Sequence, residues 1–292
     1  MTVGNALKFT CLGITGGLVL RLLTMLYFYD YETGFFTDSG MLSWITIIFI
    51  AVIWLVSMFF CIKDKRYFYE GYVVRRNIFA GLISFLSSVM LTIMVVNQYE
   101  SYQLNKTLNT ALSNGGVIHL VFIIISVLMV ILHLAIAISF FSGVNFFNNI
   151  PAVHLISVFW GIFNVLFTFL FYAKSALTTE NIYMVVGNVT LLFSLLYISK
   201  LIVGFGDDKT AKRLYIVGIP AVMLNITYNL SNLVLNLLGR EYMDRGEVPF
   251  IIQTANLCIA LYILAFLFTF KKYGLRLKTQ DMMEKEKGRH NG

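Results

Sequence analysis

One arginine stands inside an apolar stretch. Arg21 lies in the run 9–28, and the carboxylates Asp30, Glu32 and Asp38 follow a short way beyond it. A guanidinium presents a planar fork that matches a carboxylate or a phosphate. Arg21 therefore reads as an anchor for the anionic group of a ligand, or as one half of an internal pair with an acid such as Asp30. A third use, snorkelling outward to the headgroups, needs no partner. Asp30 is nine residues on, beyond i,i+4 reach, so that pairing requires the loop to fold back over the helix end. Otherwise Asp30 and Glu32 are expected at the outer mouth of a site. There they moderate the arginine's field or compete with an incoming anion. Asp38 or Ser39, in "TDSG", is expected to cap the helix that follows.

A second group is a stripe of carboxamides. Asn225, Asn229, Asn232 and Asn236 recur at spacings of four, three and four in "LNITYNLSNLVLN". At about 100° per residue they fall within a sector about 60° wide on one helix face. Unpaired polar groups in hydrocarbon cost several kcal/mol, so this face cannot meet lipid. Gln253 and Asn256 stand at a similar outer depth on the next helix, with Asn181, Asn188, Asn164 and Thr168 on the two spans before the stripe. Such residues line a polar cavity for a solute, or they are interhelical glue worth about 0.6 kcal/mol per contact. Gly218 and Pro220, one turn inward, are expected to kink the stripe's helix.

The third group is His119, Ser126 and His133, each seven residues apart and so on one helix side. Histidines titrate near neutral pH, and a proton relay through His119 and His133 is one reading. Packed, hydrogen-bonded histidines are the other. The two rings are about 21 Å apart by helix rise and cannot share a metal. Cys11, Cys61 and Cys258 have no ligand spacing, so no metal and no cofactor are expected. No carboxylate is expected inside any span, which counts against a carboxylate-driven antiporter and a His/Glu membrane metalloenzyme. Three weaker patterns remain: Gly13-x-x-x-Gly17 as a close-packing face, Asn105 in the sequon "NKT", and "FGDD" at 205–208, read as a solvated loop.

The elements that must position these residues are written in the composition. Of 292 residues, 58% are hydrophobic and 13% charged, against roughly 25% charge in a soluble domain. A crossing helix needs about 20 apolar residues. Eight such segments are predicted: 9–28, 41–62, 77–96, 117–140, 153–172, 182–203, 214–238 and 248–270. The fold class is thus an all-α integral membrane bundle of about eight transmembrane helices. Residues 1–270 form one polytopic domain, and 271–292 a basic tail expected to be partly disordered. Arg21 breaks the would-be core of a signal peptide, so the first segment is read as a retained helix.

Lys and Arg orient the bundle. With the N-terminus inside, the inner side holds Lys8, then Lys63, Lys65, Arg66, Arg75 and Arg76, then Lys200, Lys209, Lys212 and Arg213, and seven more after Phe270. The outer side holds Lys106, Lys174, Arg240 and Arg245. That asymmetry sets both termini in the cytoplasm of a cell (plasma) membrane protein. The net charge of +7 then points basic loops at anionic lipid rather than at nucleic acid. The expected function is a small-molecule transporter or permease with an outward-facing polar pocket for an anionic or zwitterionic solute. Arg21, Asn225, Asn229, Asn232, Asn236, Gln253 and Asn256 are its ligand-binding candidates. A non-catalytic sensor, assembly or structural component, whose stripe packs on a partner helix, is the alternative. An enzyme acting on lipid ranks third, because no nucleophile or acid–base set accompanies it.

Overall fold

An apolar run in lipid must satisfy every backbone N–H and C=O within itself, and only a helix does so segment by segment. The computed structural model describes residues 2–64, 66–67, 75–108, 116–144, 146, 150–172, 178–203, 209–240 and 248–277. Among the described residues it has eight helical spans long and apolar enough to cross a membrane. In chain order the elements are α1 (Val3–Tyr27), the hairpin β1 (Tyr29–Asp30) and β2 (Phe35–Phe36), α2 (Met41–Lys63), β3 (Arg66–Tyr67), α3 (Ile78–Leu108) and α4 (Gly116–Ser142). A 3-10 turn (Pro151–His154) leads into α5 (Leu155–Tyr172). The sixth span joins α6 (Thr178–Asn181), a π-helical turn (Ile182–Val186) and α7 (Gly187–Val203). Then come α8 (Thr210–Leu237), α9 (Phe250–Tyr273) and β4 (Arg276–Leu277). The chain is therefore an all-α, multi-pass membrane protein. Among the described residues there are also two short antiparallel ladders, Tyr29 opposite Phe36 and Arg66 opposite Leu277.

Two boundaries differ from the sequence expectation in ways that matter. α1 begins at Val3, six residues before the predicted start, because the buried Asp64 carboxylate accepts the Val3 N–H at 2.7 Å. An orphan N–H of the first helical turn is thereby satisfied by a residue from the end of α2. Arg21 lies six residues from the Tyr27 end of α1, about 9 Å by helix rise. The sixth span begins at Thr179 rather than Ile182, which carries Glu180 into the bundle. The N-cap of α2 is Gly40 rather than Asp38 or Ser39, yet the Asp38 carboxylate still accepts the N–H groups of Gly40 and Leu42 at the start of the helix, both at 2.9 Å. Tyr27, the last residue of α1, is exposed. Tyr29 instead turns inward onto Met25 and Leu235, because the hairpin folds it under Tyr31 and Phe36. The "FGDD" segment (205–208) and most of the basic tail lie outside the described residues, as does the side chain of Asn105.

Span ends meet at one end of the bundle. The start of α3 is tied to the end of α4 by Asn77 N–H to the Phe140 carbonyl, at 2.9 Å. Gly4 of α1 lies against Lys271 of α9. Gly13 and Gly17 are close-packing positions. A Cβ on Gly13 would stand 2.5 Å from the Met223 sulfur, and one on Gly17 3.0 Å from the Thr227 hydroxyl. α1 is thereby wedged between α2 and α8.

α8 is the least apolar of the eight spans and the most enclosed, with 83% of an 18-residue stretch buried; α9 follows at 78%. A polar stripe has to be hidden from lipid, so it selects the middle of the bundle. Pro220 lies within α8 and cannot donate to the carbonyl four residues back. That carbonyl belongs to Ile216, and it accepts the Trp54 indole N–H at 2.9 Å. Trp54→Phe should strand it and destabilise the protein by about 1–3 kcal/mol. In a Pro220→Ala background, which restores the helical donor, the same change should cost under half as much. Denaturant titrations of the four proteins in detergent give this cycle; equal costs in both backgrounds would show that the indole does not serve Ile216.

A candidate site at a buried arginine–glutamate pair

α1 delivers Arg21 to the interior at 1% exposure, and α6 delivers Glu180 at 3%. The fork–fork geometry is complete. Arg21 Nη1 donates to Glu180 Oε1 at 2.9 Å, and Nη2 to Oε2 at 2.8 Å. The remaining contacts come from α8 and the π-helical turn. Nε donates to the Ser231 hydroxyl at 2.9 Å, and Nη2 reaches Asn232 Oδ1 at 3.3 Å. The guanidinium carbon also sits 4.8 Å from the ring centroids of both Tyr183 and Tyr228, which stack on each other. Arg suits such a place because its plane both stacks on aromatic faces and hydrogen-bonds at its edges.

This overturns two expectations. Arg21 pairs with Glu180, not with Asp30, and a carboxylate does lie within a span. Asp30 is spent on its own hairpin, accepting the Glu32 N–H at 2.9 Å and the Thr33 hydroxyl at 2.7 Å. The Thr33 hydroxyl and then the Glu32 N–H hold its carboxyl below the usual value. Glu32 is exposed on the same turn. The cation over that hairpin is Arg240, 5.7 Å from the Tyr31 ring and donating to the Leu26 carbonyl at 3.2 Å.

Beneath the ion pair the amides form a chain. Asn232 donates to Gln253 Oε1 at 2.8 Å, and Gln253 donates to the Val248 carbonyl at 2.7 Å. Asn229 reaches Asn225 at 3.4 Å, and Asn225 donates to the carbonyls of Gly187 and Ala221 at 2.9 Å. Deeper, Asn164 donates to Asn256, Asn256 to Asn188, and Asn188 to Thr168, at 3.1–3.3 Å. The stripe is thus brought together across α5, α7, α8 and α9. Asn236 is the exception: it sits exposed in the last turn of α8, past the enclosed part of the bundle. Tyr183, Asn225, Tyr228, Asn229, Gln253 and Asn256 surround a cavity of about 10 Å³, room for about one water.

The π-helical turn is part of this site. It admits an extra residue where Tyr183 must face Arg21, and insertions of this kind are frequent at functional sites. Sequence reading missed Glu180, Tyr183, Tyr228 and Ser231. The usable signal was "TTEN", an acid directly before an apolar run and at the same end of the bundle as Arg21.

The histidines are not brought into the site. His119 Nε2 lies 3.1 Å from Gln98 Oε1, and Ser126 between the two accepts the Trp160 indole N–H at 3.2 Å. His133 packs edge-on against Tyr262, and neither of its ring nitrogens has a hydrogen-bond partner among the described residues. No chain of described hydrogen bonds links the rings as a relay would require. No group of three or more His, Cys, Asp or Glu suited to a metal occurs among the described residues.

Together these features define a class: a multi-pass helical membrane protein with an ion pair buried above an amide network. No protein-family model matches the chain, nor does any curated protein or solved structure.

Proposed function

We propose that the chain is a small-molecule transporter or permease for an anionic or zwitterionic solute, and that Arg21 receives the solute's carboxylate. The observation that carries this reading is the fork–fork pair itself. Glu180 occupies Arg21 as a ligand carboxylate would, and charge burial of this kind is a poor way to stabilise a bundle. An uncharged amide lining below it suits the polar remainder of a solute. The cavity holds only about one water, so the arrangement is a closed one, with Glu180 as the internal competitor that an entering carboxylate displaces. Pro220 and the π-helical turn are the places where α8 and the sixth span can bend to open it. The Lys and Arg asymmetry supports cytoplasmic termini in a cell membrane, and this puts Arg21 and Glu180 toward the outer side.

The second reading is a non-transporting membrane component whose amides only hold its own helices together. The intrachain pairing of Asn232 with Gln253 and of Asn256 with Asn188 favours it. The two readings part in one experiment, a thermal-shift panel of monocarboxylates, dicarboxylates and amino acids on the purified protein in detergent. Transport predicts that one chemical class raises the unfolding midpoint, by about 2.7 kcal/mol of added stability at a hundredfold excess over its Kd. No shift from any of them at tens of millimolar would overturn the reading.

A further inference from the structure

The far end of the bundle carries a second recess that owes nothing to Arg21. Where α3 begins and α9 ends, a groove of about 1020 Å³ opens between the two helices. Its upper rim carries Arg76, Lys271 and Lys272, and its wall is apolar, with Phe79, Ile83, Leu264 and Phe268. No acidic residue lines it among the described residues. The side chains of Phe79 and Phe268 are exposed, at 67% and 42%. Both lie inside candidate spans, so what they face in place is acyl chain rather than water. The cations stand at the span ends, at headgroup level. The polar floor is closed by Asn77, whose side-chain amide donates to the Thr269 hydroxyl at 3.0 Å and whose carbonyl caps the Ala80 N–H.

We infer that this groove is a binding site for one anionic phospholipid, its phosphate held by Arg76 and Lys272 and an acyl chain lying along Ile83, Leu264 and Phe268. Charge complementarity decides the occupant. Three cations and no acid among the described residues lining the groove favour a net-negative headgroup over a zwitterionic one, and basic recesses between spans hold such headgroups. The apolar wall below them requires a chain attached to that headgroup, which a free phosphate lacks.

The test uses the full-length protein purified in a neutral detergent. It is titrated separately with phosphatidylglycerol, phosphatidylcholine, glycerol phosphate and inorganic phosphate, and bound lipid is counted by native mass spectrometry. Phosphatidylglycerol should bind at least tenfold more tightly than phosphatidylcholine. Each surface cation contributes about fivefold, so Arg76→Gln with Lys272→Gln should weaken phosphatidylglycerol roughly 25-fold. Both positions are exposed, and the double variant should melt like the parent. Leu264→Trp, which fills the groove and leaves every charge in place, should also displace the lipid. Equal binding of the two lipids by the parent, or full retention by the double variant, would overturn the site. Competition by glycerol phosphate or inorganic phosphate at the lipid's own concentration would overturn the lipid as its occupant.

Discussion

Glu180→Ala should lower the stability of the protein by about 3–5 kcal/mol, the largest single-residue effect expected in this chain. The variant leaves the Arg21 guanidinium buried at 1% exposure without its counter-charge, and an uncompensated buried charge costs that much. Arg21→Met should be comparably harmful, for it strands the Glu180 carboxylate. Arg21→Met together with Glu180→Met should recover most of the loss, because the pair's desolvation cost disappears with both charges. Reversible denaturant unfolding in mixed detergent gives the cycle. A double variant as unstable as the sum of the singles would mean that the two side chains act independently, against the 2.8 Å contact between them.

The second large effect concerns recognition. If a solute carboxylate replaces Glu180 on Arg21, Arg21→Lys should weaken the best compound of the thermal-shift panel by about 10- to 100-fold. A lysine keeps the charge but has no fork, and a charge-assisted hydrogen bond is worth about 1.5–3 kcal/mol. Ser231→Ala, which removes the acceptor of the Arg21 Nε–H, should weaken the same compound less, by letting the guanidinium swing. Unchanged affinity in Arg21→Lys would place the carboxylate elsewhere and return Arg21 to a structural role.

The membrane architecture was legible because length and apolarity are local properties. All eight spans could be read from the chain, and the glycines of α1 close against α2 and α8 as a small-residue face requires. The amide stripe was legible too, since helical periodicity puts Asn225, Asn229 and Asn232 on one face whatever surrounds them. Partners were not legible. Glu180 and Arg21 are 159 residues apart, and no local pattern ties them. The eye is drawn to Asp30 because it is near in sequence, yet the hairpin turn consumes it. The span boundary compounded the error: with the sixth span begun at Ile182, Glu180 fell into an outer loop. Asp64 was overlooked for the same reason, as one charge among several in a basic loop, although it caps α1. A non-helical turn such as Ile182–Val186 leaves no composition signature at all.

In the closed transporter proposed above, the Arg21–Glu180 pair bars access to the amide stripe. The direct measurement is thiol labelling at Asn229→Cys, in membranes, with the exposed Cys11 replaced by Ser. The buried Cys61 and Cys258 stay as internal controls for loss of the fold. With the pair intact, Asn229→Cys should react with a small, charged thiol reagent no faster than Cys258. Adding Arg21→Gln with Glu180→Gln, which removes the ion pair without stranding either charge, should speed its labelling at least tenfold while Cys258 stays silent. Equal, slow labelling of Asn229→Cys in both proteins would contradict the account and make the stripe a sealed structural seam.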